Sequence, residues 1–300
     1  MTSPEFTGPR PAPGQPGPAA KRKSYRRHAG VTLVEMIVVI AITGIIGAMV
    51  AVFIRRPIEG YVDSARRAQL TDIADTALRR MLRDLHLALP NSVRVATDGL
   101  GVTYLEFLIT SGGGRYRAAP TSLGAGNILD FTAADSSFDV LGPVPAFAGG
   151  ESIVLYNLGP GFTNADAYVG ANRAAYSSLA GSTITLSAAT LFPLESPGNR
   201  FQVVQYPVTY ACNPTAVAVS TTAANEVRRY WNYTIVATQQ TPPSGGSSAQ
   251  LAGNVGGCTI TYDPNAIQGR NGIVSLRIQL TGSGGESVTL FQEAHVSNIP

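Results

Sequence analysis

The sequence predicts an α+β chain in which a long N-terminal helix packs on a mostly antiparallel β-sheet head. Three observations carry this. Met36 to Ile54 is a run of 19 residues without a charge. From Leu70 to Leu89 apolar residues recur at spacings of three and four. From Ser92 onward, short stretches of alternating polarity are separated by Gly, Pro, Ser and Asn. A helix followed by a run of strands is an α+β pattern, distinct from the strand-helix alternation of a parallel sheet.

Length and composition agree with a folded chain. The 300 residues allow one or two domains, and 44% hydrophobic against 14% charged residues is ample for a core. The formal charge of +3 is misleading, because residues 1–30 hold six of the 22 basic residues and one of the 19 acids. The remainder carries 16 Arg against 18 acids, a net −2. Overall charge therefore gives no reason to expect nucleic acid as a partner.

The helix begins with the uncharged run. At about 1.5 Å per residue it matches a hydrocarbon core of roughly 30 Å, so a single membrane helix is expected. Lys21, Arg22, Lys23, Arg26 and Arg27 before it outnumber Arg55 and Arg56 after it, which keeps the N-terminus cytoplasmic and exports the rest. A secretory signal peptide is the rival reading. Its apolar core should be about 7–15 residues with the cleavage site behind it, whereas this run is longer and the small residues His28-Ala29-Gly30 precede it. Glu35 is the anomaly, since a carboxylate at membrane depth costs about 2.5–3.5 kcal/mol on insertion scales.

Gly30-Val31-Thr32-Leu33-Val34-Glu35, placed between a basic leader and a membrane run, resembles the processing motif of type IV prepilins and pseudopilins. The resemblance implies that a membrane prepilin peptidase and methyltransferase recognises Gly30, Thr32 and Leu33, cuts between Gly30 and Val31, and N-methylates Val31. It implies that Glu35, fifth in the mature chain, neutralises the methylated ammonium of a neighbouring subunit during assembly. Val31 departs from the Phe commonest at that position. An uncleaved signal anchor with an incidental Glu is the alternative. The implied fold is pilin-like. Residues 1–30 form a cleaved cytoplasmic leader, residues 31–56 a transmembrane helix, residues 57–90 a periplasmic stalk and residues 91–300 a β-rich head. The implied location is the inner membrane, single-pass, and then a pilus or pseudopilus. The implied partners are the peptidase, other major and minor pilins, the inner-membrane assembly platform and membrane lipid, with no cofactor and no nucleic acid. The leader, rich in Pro and Gly, is expected to be disordered and discarded.

Along the stalk, Gly44 and Gly47 suit close helix packing in lipid, although glycine is common in membrane helices anyway. Pro57 lacks an amide donor and is expected to kink or interrupt the helix. Leu70, Ile73, Ala77, Leu78, Met81, Leu82, Leu85 and Leu89 form the apolar stripe. Asp63/Arg67, Asp75/Arg79 and Arg80/Asp84 are spaced for i,i+4 pairs, and Pro90-Asn91 stops the helix. Eight Arg lie between Arg55 and Arg94, interleaved with five acids. A solvated or inter-subunit face is expected there rather than a phosphate-binding stripe.

In the head, Leu105, Phe107 and Ile109 fall on one face of a strand, as do Val274, Leu276, Ile278 and Leu280 of another. The latter should pair as a hairpin with the strand following the turn at 281–285. Residues 111–127, 157–182 and 238–257 read as loops. Cys212 and Cys258 lie on the exported side, where a disulfide is the default, with a free thiol or a metal pair as alternatives.

Material for catalysis is sparse, and no enzyme is expected. His86 and His295 are the only histidines after Gly30, and no nucleophile elbow, phosphate loop or zinc-helix motif occurs. Asp130, Asp135, Asp139 and Asp263 do not follow the spacing of a Ca²⁺ loop and read as turn residues. The longer stretches 61–94, 228–235 and 272–300 resemble minor prepilins of the MshO type from mannose-sensitive haemagglutinin pili, which are similar in turn to the J minor pseudopilins of type II secretion. That resemblance implies a subunit that helps initiate or cap a filament. A secretion pseudopilin, a DNA-uptake minor pilin and a membrane-anchored periplasmic binding protein or enzyme remain as alternatives.

Overall fold

The computed structural model describes residues 30–215, 222–267 and 271–300. The leader expectation for residues 1–29 lies outside them. Two compact units divide the chain, Met1–Ile58 and Glu59–Pro300. Helix α1 (Leu33–Leu85) contributes to both.

Within the first unit the apolar side chains of α1 are uncovered, with Ile40 64% and Phe53 83% exposed. The helix is long and apolar enough to cross a membrane. It also runs through Pro57, contrary to the expected interruption. Proline removes one backbone donor, and the helix continues without a break on both sides of it.

In the second unit α1 buries Leu70, Ala74, Ala77, Leu78, Met81 and Leu85, the face expected from the spacing. Along the helix Arg79 pairs with Asp75 and Arg80 with the buried Asp84, whereas Asp63 meets Arg66 at 3.8 Å rather than the expected Arg67. The helix ends at Leu85, one turn before Pro90-Asn91. There the chain turns into the sheet, with Ala88 bridging Ile109 and the Leu89 amide donating to the Leu108 carbonyl.

Nine strands form one sheet: β1 (Arg94–Thr97), β2 (Thr103–Tyr116), β3 (Asp135–Leu141), β4 (Ser152–Leu155), β5 (Arg173–Ala180), β6 (Thr183–Thr190), β7 (Arg200–Asn213), β8 (Glu226–Trp231) and β9 (Ser247–Ala252). Their order is β1-β2-β3-β6-β5-β4-β7-β8-β9. A second sheet contains β10 (Val255–Ile267), β11 (Asn271–Thr281) and β12 (Ser287–Ser297). All described pairings between strands are antiparallel. The β11–β12 hairpin forms as expected, with Thr281 opposite Ser287. One core joins the helix to both sheets: Leu78 and Met81 share a cluster with Phe107 and Tyr210 of the first and Val274 and Leu276 of the second.

The segments expected to be loops contain strands. The β2–β7 pairing closes β2-β3-β6-β5-β4-β7 into a ring, and all six strands supply one buried cluster that includes Tyr116, Phe138, Ile153, Ala174, Ile184 and Phe201. Gly112 to Gly114 read as a breaker but lie inside β2. A Cβ on Gly113 would stand 2.6 Å from Gln202 Oε1 and 2.7 Å from the Phe201 carbonyl, so glycine here permits close approach of β7. Likewise β5 lies within 157–182, and β9 and the start of β10 within 238–257.

Strand β2 buries both faces, where one was expected: Leu105 and Phe107 face the main core, and Tyr104, Glu106 and Leu108 are buried as well. The carboxylate of Glu106 accepts from Arg94 Nε at 3.0 Å and Nη2 at 3.1 Å. Burial pushes the Glu106 pKa up, and Arg94 opposes that rise. Arg94 also donates to the carbonyls of Val236 and Ala237 and lies 3.6 Å above the Tyr168 ring, so one side chain fastens two loops.

Candidate processing and assembly site

The residues of the processing motif stand at the start of α1. Gly30, Val31 and Thr32 are non-helical and exposed, and Leu33 opens the helix. Thr32 is the N-cap. Its Oγ1 accepts from the Glu35 amide at 3.3 Å and its carbonyl accepts from the Met36 amide at 3.2 Å. Thr-Leu-Val-Glu is thus a capping-box sequence, with Glu35 at N3 in the first turn, where the helix dipole favours negative charge. The Glu35 carboxylate has no hydrogen-bond or ion-pair partner among the described residues. Helix initiation accounts for Thr32 and for a negative charge at N3.

The described glycines of this unit are not demanded by the packing of the described residues. A Cβ at Gly30, Gly44 or Gly47 would meet nothing within 4 Å, and none of the three has a positive φ.

Cys212 and Cys258 form a disulfide with Cα atoms 6.5 Å apart. Cys212 is on β7 and Cys258 on β10, so the bond links the two sheets. It sits at the edge of the core that α1 shares with both of them.

The remaining candidates have structural work. Asp130 accepts from the Thr132 amide and hydroxyl, Asp135 from the Asp130 and Ser137 amides, and Asp263 from the Asn265 amide. Asp139 accepts from Thr183 Oγ1 at 2.7 Å, the Asn127 amide at 2.9 Å and Arg117 Nε at 3.2 Å. These bonds hold its pKa below the ordinary carboxylate value. His86, just beyond α1, and His295, on β12, are exposed on separate elements.

Sequence reasoning missed the anchor at the end of α1. The i,i+4 spacing with Arg80 suggests a polar-side position for Asp84, but it is buried at 3% exposure. It accepts from Tyr210 Oη at 2.8 Å and Arg229 Nε at 2.8 Å, with Arg80 Nε at 3.3 Å. Its position three residues after Met81 and seven after Ala77 put it on the apolar stripe, a signal available from the spacing.

Residues 25–51 match the family model described as the prokaryotic N-terminal methylation motif, a span that includes Gly30, Val31, Glu35 and most of the apolar run. No curated protein and no solved structure matches the chain.

Proposed function

We propose that this chain, which carries the N-terminal methylation motif of type IV prepilins and pseudopilins, is a minor pilin of the kind found in mannose-sensitive haemagglutinin pili. Its work is assembly rather than catalysis. Prepilin peptidase removes residues 1–30 by cutting between Gly30 and Val31 and methylates the new amine, with Thr32 and Leu33 as part of the recognised motif. Residues 31–56 hold the subunit in the inner membrane with the N-terminus cytoplasmic. Residues 57–90 form the stalk and residues 91–300 the head, both periplasmic, until the assembly platform adds the subunit to a filament of other pilins.

The observation that carries this reading is the methylation-motif match together with a Glu35 carboxylate that has no partner among the described residues. A methylated ammonium from a neighbouring subunit is a fitting counter-charge. In a low-dielectric setting the attraction of the pair offsets much of their shared desolvation when the geometry is good. The exposed, non-helical backbone at Gly30 supports access for the peptidase.

The test uses two variants in the native host. Gly30→Leu should leave the precursor uncut on an immunoblot, and Glu35→Ala should be cut normally yet fail to enter filaments. Normal filament incorporation of Glu35→Ala would refute the charge-pairing role. Loss of secreted cargo in place of filaments would move the same mechanism to a secretion pseudopilus.

A further inference from the structure

Within the second unit, one stripe of α1 and the sheet surface beside it border an open cleft of about 660 Å³, inside the range of small-molecule sites, about 300–1,000 Å³. Arg79, Arg80 and Arg83 line it from the helix, and Arg229 and Trp231 from β8. The charges do not cancel. Arg79 is paired with Asp75 at 2.6 Å, and the single carboxylate of Asp84 is shared by Arg80 and Arg229. Arg83 is exposed and has no ion pair among the described residues. Four guanidinium groups thus face two carboxylates, an excess of two positive charges in a concave site that concentrates their field.

The cavity also offers flat and neutral polar surface. The Arg229 guanidinium lies 4.9 Å from the Trp231 ring centroid, and Asp84 fixes it there. Tyr206 adds a second ring, and Thr76 and Gln250 supply a hydroxyl and an amide. A smaller cavity of about 280 Å³ shares Tyr206 and Trp231 and continues past Gly149, Gly150 and Glu151, whose carboxylate accepts from the Ala148 and Gly149 amides and leaves the whole groove with a net excess of one positive charge. The two rings therefore lie along a groove.

We propose that this groove binds an acidic saccharide bearing carboxylates. The planar guanidinium fork matches a carboxylate, so Arg83 and Arg80 hold the uronate group. The rings of Trp231 and Tyr206 pack against the apolar face of the sugar, and Thr76 and Gln250 bond its hydroxyls. A neutral sugar leaves the excess charge uncompensated. A nucleic acid is disfavoured by the rest of the molecule: outside the cavity and its two acids, 12 Arg face 16 acids from Val31 to Pro300, a net −4 that repels a continuous phosphate backbone.

Trp231 is the only tryptophan in the chain, so its emission reports on this groove alone. The full chain, purified in detergent, is titrated with hexagalacturonate. A saturable, salt-sensitive change in Trp231 emission is expected, about tenfold weaker in affinity for Arg83→Gln and unchanged for Arg277→Gln on β11. The titration needs no filament, so its failure is separate from failure of the assembly reading. Absence of a saturable change in protein that is folded by circular dichroism, or equal affinity in Arg83→Gln, would overturn the proposal. Tighter binding of oligothymidylate or of an oligoglutamate peptide would overturn the ligand class.

Discussion

Replacing Asp84 with alanine should cost more stability than a surface ion pair can supply. Asp84 is 5% exposed at the side chain, and Arg229, which donates to it at 2.8 Å, is 10% exposed. Burial alone would lower the Arg229 pKa, but Tyr210 and Asp84 outweigh that and leave it raised, so the guanidinium depends on its partners. Burial, then Asp84, likewise raises the Tyr210 pKa. Asp84→Ala strands a buried cation and a buried hydroxyl together. Breaking one side of a buried pair costs about 3–5 kcal/mol, whereas Arg80, 45% exposed, should give less than about 1 kcal/mol when neutralised. The assay is urea unfolding of the detergent-solubilised chain followed by Trp231 emission, since Trp231 sits against Arg229. Asp84→Leu combined with Arg229→Met should recover most of the loss, because an apolar replacement of both partners removes the stranded charge. A loss below about 1 kcal/mol for Asp84→Ala, or a double variant no more stable than the single, would refute this reasoning.

Three further outcomes are expected. Reducing the Cys212–Cys258 bond, whose partners are 46 residues apart, should lower stability by about 4 kcal/mol in the loop-entropy account, read as a shift in urea midpoint with and without reductant. Gly113→Ala should destabilise by about 1–3 kcal/mol, because the new Cβ would meet the Phe201 carbonyl at 2.7 Å; an unchanged melting temperature would contradict the close β2–β7 approach. The Asp139 pKa is depressed by hydrogen bonds from Thr183 and Asn127, so its contribution is present above the ordinary carboxylate pKa of about 3.9 and is lost as pH falls through the depressed value. Asp139→Asn should accordingly be less stable than the parent near neutral pH, and the difference should close on acidification.

The parts of the fold that local periodicity encodes were legible. The stripe from Leu70 to Leu85 follows the helical repeat, and the β11–β12 hairpin follows from alternation plus a Gly-rich turn. Strands β5 and β9 escaped notice because Arg173–Ala180 and Ser247–Ala252 are rich in Ala and Ser and mostly exposed, so they lack the β-branched and apolar signal. The six-strand ring was invisible for another reason. It depends on β2 pairing with β7, 85 residues on in the register of Arg115 with Arg200, and on glycines that serve close approach where sequence patterns suggest a break. At the candidate site, Gly30, Thr32 and Glu35 could be read directly, since six consecutive residues hold the motif. The groove could not, because Arg83 and Trp231 meet only through the tertiary fold.

The account rests on processing at Gly30, and N-terminal mass spectrometry of the membrane-extracted protein from its native host tests that most directly. A mature chain beginning with N-methylated Val31 is the expected result. An intact N-terminus, or a cut beyond Ile54, would contradict it and leave the Glu35 carboxylate without a role.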